Sequence, residues 1–407
     1  MRSVLVSHPH AAAVAVRVAE AFRRDGRLAT FLTGVAAVDG SRGAWLLDAG
    51  RRIRRELENR VLPRSLGGHA QSMWGVEMLA RGRAHFPWMS QAKPPLGLYD
   101  SLFDLHDRAV AALRWPAGVD AVYAYEDGAL HTFERAASEG LQCVWDLASP
   151  YWTYTDRVWR AEASRWPDAA ADGVPTSTER KRDRKAAELR LATAIVVASA
   201  FAKKSVEDHC DPDLVRVVPY GFPVDRFAAR KSRPVGPFTV LAVGSLDLRK
   251  GTQYLLEAWR SAGLRDARLR LIGKPGLAKG FLDRYAGSFE HLPHVPRALL
   301  GEHYGAADVL AFPTLGDGFG LVMQEAMCSG TPVVTTGCGG GPECIVHGES
   351  GWLIESGFVD ALVHFLRWAA RNRDELAETG KKARLRAEAW TWADAGAALV
   401  AALTGTA

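Results

Sequence analysis

Gly316-Asp317-Gly318-Phe319-Gly320-Leu321-Val322-Met323-Gln324-Glu325-Ala326-Met327 reads as a glycine-punctuated loop running into a short helix. One carboxylate stands at the loop's start and another eight residues later. The run Val309-Leu310-Ala311-Phe312-Pro313 before it has the composition of a buried strand. Gly330-Thr331-Pro332 ends the helix, and residues 332–336 begin the next strand. The unit is therefore strand, glycine loop, helix, strand. The first N–H groups of a helix lack intrahelical partners, and together with the positive end of its dipole they favour a phosphate. Two acids beside such a site repel phosphate but accept hydrogen bonds from hydroxyls. Phosphate plus hydroxyls describes a nucleotide sugar.

The same alternation extends on both sides. In the second half, strands are expected over residues 238–243, 268–272, 309–313 and 332–336, with helices over 252–261 and 321–329. The first of these strands leads into Gly244-Ser245-Leu246-Asp247-Leu248-Arg249-Lys250-Gly251. Adjacent cations there precede a glycine at a helix start. Arginine offers a planar fork and lysine a point charge, a match to a diphosphate, although an exposed Arg-Lys turn has the same composition. It is not a P-loop, because G-x-x-x-x-G-K-[ST] is absent. In the first half, strand-like runs at 3–8, 121–126, 143–147, 194–199 and 215–220 alternate with helical stretches at 11–24, 129–139 and 185–192, the pattern of a parallel sheet with crossover helices. Residues 34–118 fit no plain repeat.

A break without periodicity, Lys231-Ser232-Arg233-Pro234-Val235-Gly236-Pro237, reads as a linker. The expected architecture is two doubly wound, Rossmann-like α/β domains facing a central cleft. Residues 1–228 form an acceptor-binding domain and 229–388 a nucleotide-sugar-binding domain. A final helix within 389–407 packs back on the first domain. Ligands of such folds sit beyond the carboxyl ends of the strands.

With 407 residues, two domains of ordinary size are expected. No apolar run approaches the roughly 18 residues of a membrane span, and the N-terminus reads as a strand rather than a signal-peptide core. Five scattered cysteines without a C-x-x-C pair fit free thiols in a reducing cytoplasm. The net charge of +5 is modest. Arginines at 51, 52, 54, 55, 60 and 64, and the run Arg180, Lys181, Arg182, Arg184, Lys185, are interleaved with acids. A solvated helix face accounts for each, and at most they imply peripheral contact with anionic lipid. No nucleic-acid module is present. Asp211-Pro212-Asp213 imitates a D-x-D metal motif, but proline between the acids favours a turn, and no metal is expected.

Taken together, the residues resemble the retaining, nucleotide-sugar-dependent glycosyltransferases of the two-domain GT-B type, family 4 (group 1). The likeness runs through Val243-Gly244-Ser245-Leu246, Arg249-Lys250-Gly251, Leu271-Ile272-Gly273 and 307–314. It continues through Asp317-Gly318-Phe319-Gly320, Glu325-Ala326-Met327, Gly330-Thr331-Pro332, Gly339-Gly340-Gly341-Pro342-Glu343 and 348–354. In the first half it is carried by Ala198-Ser199-Ala200-Phe201 and 218–227. It is strong over residues 185–355 and loose at the ends.

By that resemblance Glu325 is the second acid of the family's E-x7-E motif and holds the ribose hydroxyls. Asp317 stands where the first Glu usually sits, near the donor sugar. Gly318, Phe319, Gly320 and Leu321 present backbone donors, Gly244 and Ser245 belong to the phosphate turn, and Lys250 is the diphosphate lysine. The arginine usual two residues into that turn is replaced by Ser245, leaving Arg249 to supply its charge. Asp317 is one methylene shorter than Glu. The turn after the strand ending near Asp146 lacks the histidine of many relatives. Asp146 is its nearest polar substitute or a plain turn residue. His8 and His10 follow the first strand and face the cleft or an ordinary loop, while His131 reads as a surface histidine.

The resemblance implies sugar transfer from a nucleoside-diphosphate-sugar to a hydroxyl acceptor (glycan, lipid-linked or small molecule). No cofactor beyond the donor is required. Lys250, Arg249 and Asp317 act at the reacting centre. Two alternatives stand beside it: a catalytically silent nucleotide-sugar-binding subunit, and a nucleotide-sugar epimerase or phosphorylase-like enzyme.

Overall fold

The computed structural model describes residues 1–38, 61–85, 98–171, 176–232 and 234–405, so the basic cluster at 51–60 lies outside the described residues. The strands of the first half are β1 (Val4–His8), β2 (Leu28–Thr33), β3 (Ala37–Val38), β4 (Val61–Leu62), β5 (Ala70–Ser72), β6 (Ala121–Tyr125), β7 (Gln142–Leu147), β8 (Ala194–Val197) and β9 (Val215–Val217). Those of the second are β10 (Phe238–Val243), β11 (Ala267–Ile272), β12 (Glu290–Leu292), β13 (Val309–Phe312), β14 (Val333–Thr336) and β15 (Trp352–Ile354). Seven strands pair in the order β5-β2-β1-β6-β7-β8-β9, and six in the order β12-β11-β10-β13-β14-β15. The ladders of both sheets are parallel, for example Val6 against Tyr123 and Leu310 against Val333. Central strands β6, β13 and β14 are buried at every residue, as strands covered by helices on both faces must be.

Both sheets reverse direction at a central strand. β1 has β2 on one side and β6 on the other, and β10 lies between β11 and β13. Chain leaving the carboxyl ends of β1, β10 and β13 therefore opens at a topological switch point, where crossover helices diverge and leave a crevice. The loops in question are 9–12, 244–251 and 313–320. The strands β2 and β5 fall before and within the stretch that showed no repeat, and β12 and β15 have three residues each, too short for alternation to register.

Two segments cross between the halves. Helix Trp392–Thr404, closed by a capping box of Thr391 and Asp394, lies against helix Ala13–Arg24. Its Leu399 and Val400 join the N-terminal core beside Val18 and Phe22. Gly396 sits where a Cβ would come within 2.8 Å of Ala21 Cβ, so the two helices touch closely there. In the opposite direction, helix Trp152–Arg165 leaves the N-terminal sheet and docks on the second core. Val158, Trp159, Ala163 and Trp166 pack against that core, and Ala169 is fully buried in it. Ala170 bridges Leu277 in antiparallel fashion, and Ala278 N donates to Ala169 O at 3.0 Å. A division at residue 228 thus leaves 152–170 in the first half by chain order and in the second by packing.

The basic run on helix Glu179–Leu191 turns toward acids. Lys181 pairs with Asp100 at 3.1 Å, Arg182 with Asp156 at 3.0 Å, Arg184 with Asp107 at 2.6 Å, and Lys185 with Glu126 at 2.5 Å. These contacts tie the helix to its neighbours, helix Trp152–Arg165 among them through Asp156, rather than offering a bare cationic face. Among the described residues no helix is long and apolar enough to cross a membrane.

Candidate functional site

The turn after β10 is shaped by Asp247. Its Oδ2 accepts from Ser245 Oγ at 2.7 Å, and its Oδ1 accepts from Lys250 N at 2.9 Å. Gly251 then starts helix Thr252–Ala262 at φ +72°, and a Cβ on it would lie 2.0 Å from Pro313 O. Glycine is required there twice over, for the left-handed backbone and for the contact that sets the turn against the loop after β13. Leu315 N donates to Arg249 O at 2.8 Å, and Arg249 Nη1 donates to Gly316 O at 2.5 Å. Lys250 Nζ donates to Asp317 Oδ2, and its ammonium lies 5.2 Å from the centre of the Phe312 ring.

Asp317 is held on its other side by its N–H, which donates to Cys338 O at 2.9 Å. Burial alone pushes its carboxyl up, but the charges of Lys250 and Arg249 and the Lys250 hydrogen bond outweigh burial and hold it below the usual range. It is therefore a carboxylate, able to accept hydrogen bonds from hydroxyls. Glu325, buried on helix Leu321–Cys328, accepts from Arg297 Nη2 at 3.1 Å and from Tyr304 OH at 2.8 Å. Both donors orient the carboxylate and leave lone pairs for further partners.

These loops border a cavity of about 350 Å³ between the domains. Lys250, Asp317, Gly244, Phe319, Gly320 and Leu321 line it from the C-terminal side; His8, Ala12, Tyr125 and Ala148 line it from the other. Arg249, Ser245, Gly318 and Glu325 do not. Arg249 grips the Gly316 carbonyl, Ser245 is spent on Asp247, and Gly318 faces the N-terminal backbone. Glu325 stands behind Arg297, which lines an adjoining cleft of about 580 Å³ that shares Ala12 with the first. Two helices, Leu321–Cys328 and Ala13–Arg24, begin at the cavity wall, one from each domain. Ala12 caps the second without a side-chain hydrogen bond.

Of the histidines, His8 reaches the cavity, with its ring edge-on to Tyr125 at 4.6 Å. Burial, reinforced by His10, pushes it down to about 3, so it is neutral. His131 sits apart, bonded to Glu134 at 2.9 Å. Asp146 accepts from Tyr123 OH at 2.6 Å and lines a small cavity with Arg17 under the C-terminal helix, which shares Tyr220 with the first cavity. Burial pushes its carboxyl up to about 7. Asp211 accepts from Asp213 N at 2.9 Å, closing a turn across Pro212. Gly340 packs on the Phe319 ring, where a Cβ would come within 2.4 Å. Sequence reasoning passed over Asp247 and Ser199; an aspartate three residues before a basic turn is an Asx-turn signal and could have marked the first.

Two parallel Rossmann-like domains closing over a cleft with both switch points facing it define the GT-B architecture. The fold aligns over 100% of both chains with sucrose-phosphate synthase from Thermosynechococcus elongatus (TM-score 0.68, 17% identity). It aligns equally completely with Anabaena Alr3699/HepE in complex with UDP and glucose (TM-score 0.65, 15% identity). Residues 237–372 match the family described as glycosyl transferases group 1. The chain is 35% identical over 242 residues to a D-inositol 3-phosphate glycosyltransferase of Geodermatophilus obscurus, covering 53% of each. It is 31% identical over 223 residues to an MMP alpha-(1->4)-mannosyltransferase of Mycolicibacterium hassiacum, covering 52% of this chain and 54% of the other. The aligned part spans about half the length of these curated relatives.

Proposed function

We propose that the protein is a glycosyltransferase that moves a sugar from a nucleoside-diphosphate-sugar to a hydroxyl acceptor with retention of configuration. The observation that carries the reading is the pairing of Lys250 with Asp317 at the wall where helix Leu321–Cys328 begins. A cation and helix-start amides suit a diphosphate, and a carboxylate beside them suits the sugar's hydroxyls. In the transfer, the bond from the anomeric carbon to the β-phosphate oxygen breaks. The acceptor oxygen bonds the same face of that carbon, and its proton passes to the departing phosphate oxygen. Lys250 opposes the charge that grows on that phosphate, where a fixed donor is most effective. Arg249 works from behind by holding the Gly316 carbonyl. Glu325 takes the ribose hydroxyls, and neutral His8 with Tyr125 forms the acceptor side. The relatives named as a D-inositol 3-phosphate glycosyltransferase and a mannosyltransferase support the reaction class.

A thermal-shift screen of UDP-, GDP-, ADP- and dTDP-sugars tests the reading, because a ligand at 100 times its Kd raises stability by about 2.7 kcal/mol. One nucleotide sugar is expected to stand out and to be consumed when an acceptor is supplied. Binding without transfer to any acceptor in an extract supports a silent subunit instead, and isomerisation of the free donor an epimerase.

A further inference from the structure

We infer that Ser199 is a positioning residue: with the Ala148 carbonyl it forms an interdomain latch that keeps loop 316–320 in its sugar-binding shape only while the domains are closed. Ser199 follows β8 in the N-terminal domain and is fully buried. Its Oγ donates to Gly318 O at 2.7 Å and accepts from Ala202 N at 3.1 Å, so the hydroxyl caps helix Ala200–Val206 and reaches into the other domain at once. Gly318 itself adopts no left-handed backbone. A Cβ there would lie 1.9 Å from Ala148 O and 2.7 Å from Ala148 C, so glycine at 318 serves the approach of the opposite domain's backbone. Nearby, Ala200 N donates to Glu343 Oε1 at 2.7 Å across the same seam.

The loop is thus gripped from two sides. Arg249, Lys250 and Cys338 hold Gly316 and Asp317 from within the C-terminal domain, and Ser199 holds Gly318 from outside it. Tyr154 OH also reaches Leu315 O, at 2.9 Å, from the first turn of helix Trp152–Arg165, whose start packs on the N-terminal domain and whose far end packs on the second core. Among these contacts Ser199 is the one that holds the Gly318 carbonyl, and it separates when the cleft opens. Opening strips the buried Gly318 carbonyl of its partner and leaves residues 317–320 to the grip of their own domain, where Asp317 N donates to Cys338 O at 2.9 Å and Gly340 N to Phe319 O at 2.8 Å. Order at the sugar end is then coupled to closure, a two-state element that either ligand or acceptor can bias.

Hydrogen exchange on the intact chain tests this directly. In Ser199→Ala, amides of 316–320 are expected to exchange about tenfold faster, from loss of a buried hydrogen bond, while those of β13 stay unchanged. Ser199→Thr keeps the hydroxyl and restores protection. Gly318→Ala leaves the Ser199 cap of its own helix in place and is expected to loosen the same loop. Unaltered exchange of 316–320 in Ser199→Ala or in Gly318→Ala overturns the latch. The sugar assignment of the loop rests on the function proposed above. Failure of UDP-glucose and GDP-mannose to bind the wild type counts against that function, and the exchange result stands independently.

Discussion

Replacing Lys250 with alanine separates chemistry from architecture at this site. The Lys250 and Asp317 side chains are 16% and 19% exposed, so the pair is largely but not wholly out of water. Removing one partner of a fully buried pair costs about 3–5 kcal/mol, because the remaining charge is left uncompensated. Residual exposure and the nearby Arg249 charge bring the expected loss of folding stability to about 2–3 kcal/mol. Turnover is expected to fall by about 10²–10³, the scale of losing one preorganised charge stabiliser. The two effects are resolved with the double variant Lys250→Ala/Asp317→Asn. Neutralising Asp317 removes the orphaned carboxylate, so stability returns to within about 1 kcal/mol of wild type while turnover stays low. Stability is read by urea unfolding, and turnover by release of the nucleoside diphosphate from the donor found in the thermal-shift screen. Turnover within threefold of wild type in a folded Lys250→Ala protein removes Lys250 from the mechanism. Recovery of turnover in the double variant shows instead that Lys250 merely neutralised Asp317.

Gly251→Ala places a methyl 2.0 Å from the Pro313 carbonyl on a left-handed backbone; it is expected to destabilise the fold by more than about 1 kcal/mol and weaken donor binding, measured by calorimetry. Glu325→Gln leaves the Arg297 guanidinium short of its carboxylate and is expected to weaken nucleoside diphosphate binding at least about tenfold, by loss of charge-assisted hydrogen bonds, with the free sugar unaffected. Asp146 gives a pH signature. Its carboxyl is raised from an ordinary value near 3.8 to about 7 in the folded state, so the folded protein binds the extra proton and stability falls as pH rises across that window. Asp146→Asn removes the Asp146 part of this slope, while buried Glu188, also raised to about 7, keeps its own; the variant is expected to gain up to about 4 kcal/mol on wild type at pH 8 relative to pH 4. An equal difference at both pH values, by urea unfolding, refutes the assignment.

The C-terminal wall of the cavity was legible because its signals are local. Strand, glycine loop and helix follow one another within 309–328, and a carboxylate at each end of a short span needs no tertiary knowledge to be noticed. Lys250 beside Gly251 was legible for the same reason. What the sequence hid depends on partners distant along the chain. Asp146 has the residue type for a cleft acid, yet strand β7 turns it toward Tyr123, and only the sheet register decides that. His8 looked equivalent to His10 until the loop after β1 placed its ring on the cavity wall. Ser199 carried no signal beyond a helix cap, since its second partner lies 119 positions away. Gly318 looked like a ligand-facing glycine. Its true neighbour, Ala148, belongs to a loop whose path the alternation pattern does not encode. The apolar positions of 152–166 likewise suit either core, and their destination is set by the exit of β7.

The docking of residues 152–170 on the second core bears on how such a protein can be recombined. A hybrid joined at residue 228 would inherit an N-terminal half with Trp159, Trp166 and Ala169 shaped for a foreign surface, and a C-terminal half missing the wall they supply. The helix Trp392–Thr404 imposes the reverse debt, since its Leu399 and Val400 belong to the first core. The units that can be exchanged as wholes are therefore discontinuous. One is the N-terminal sheet together with the last helix, and the other is the C-terminal sheet together with a segment from the middle of the first half. Exchanging either unit as a whole requires cutting the chain at four places rather than one, near residues 151, 170, 228 and 390.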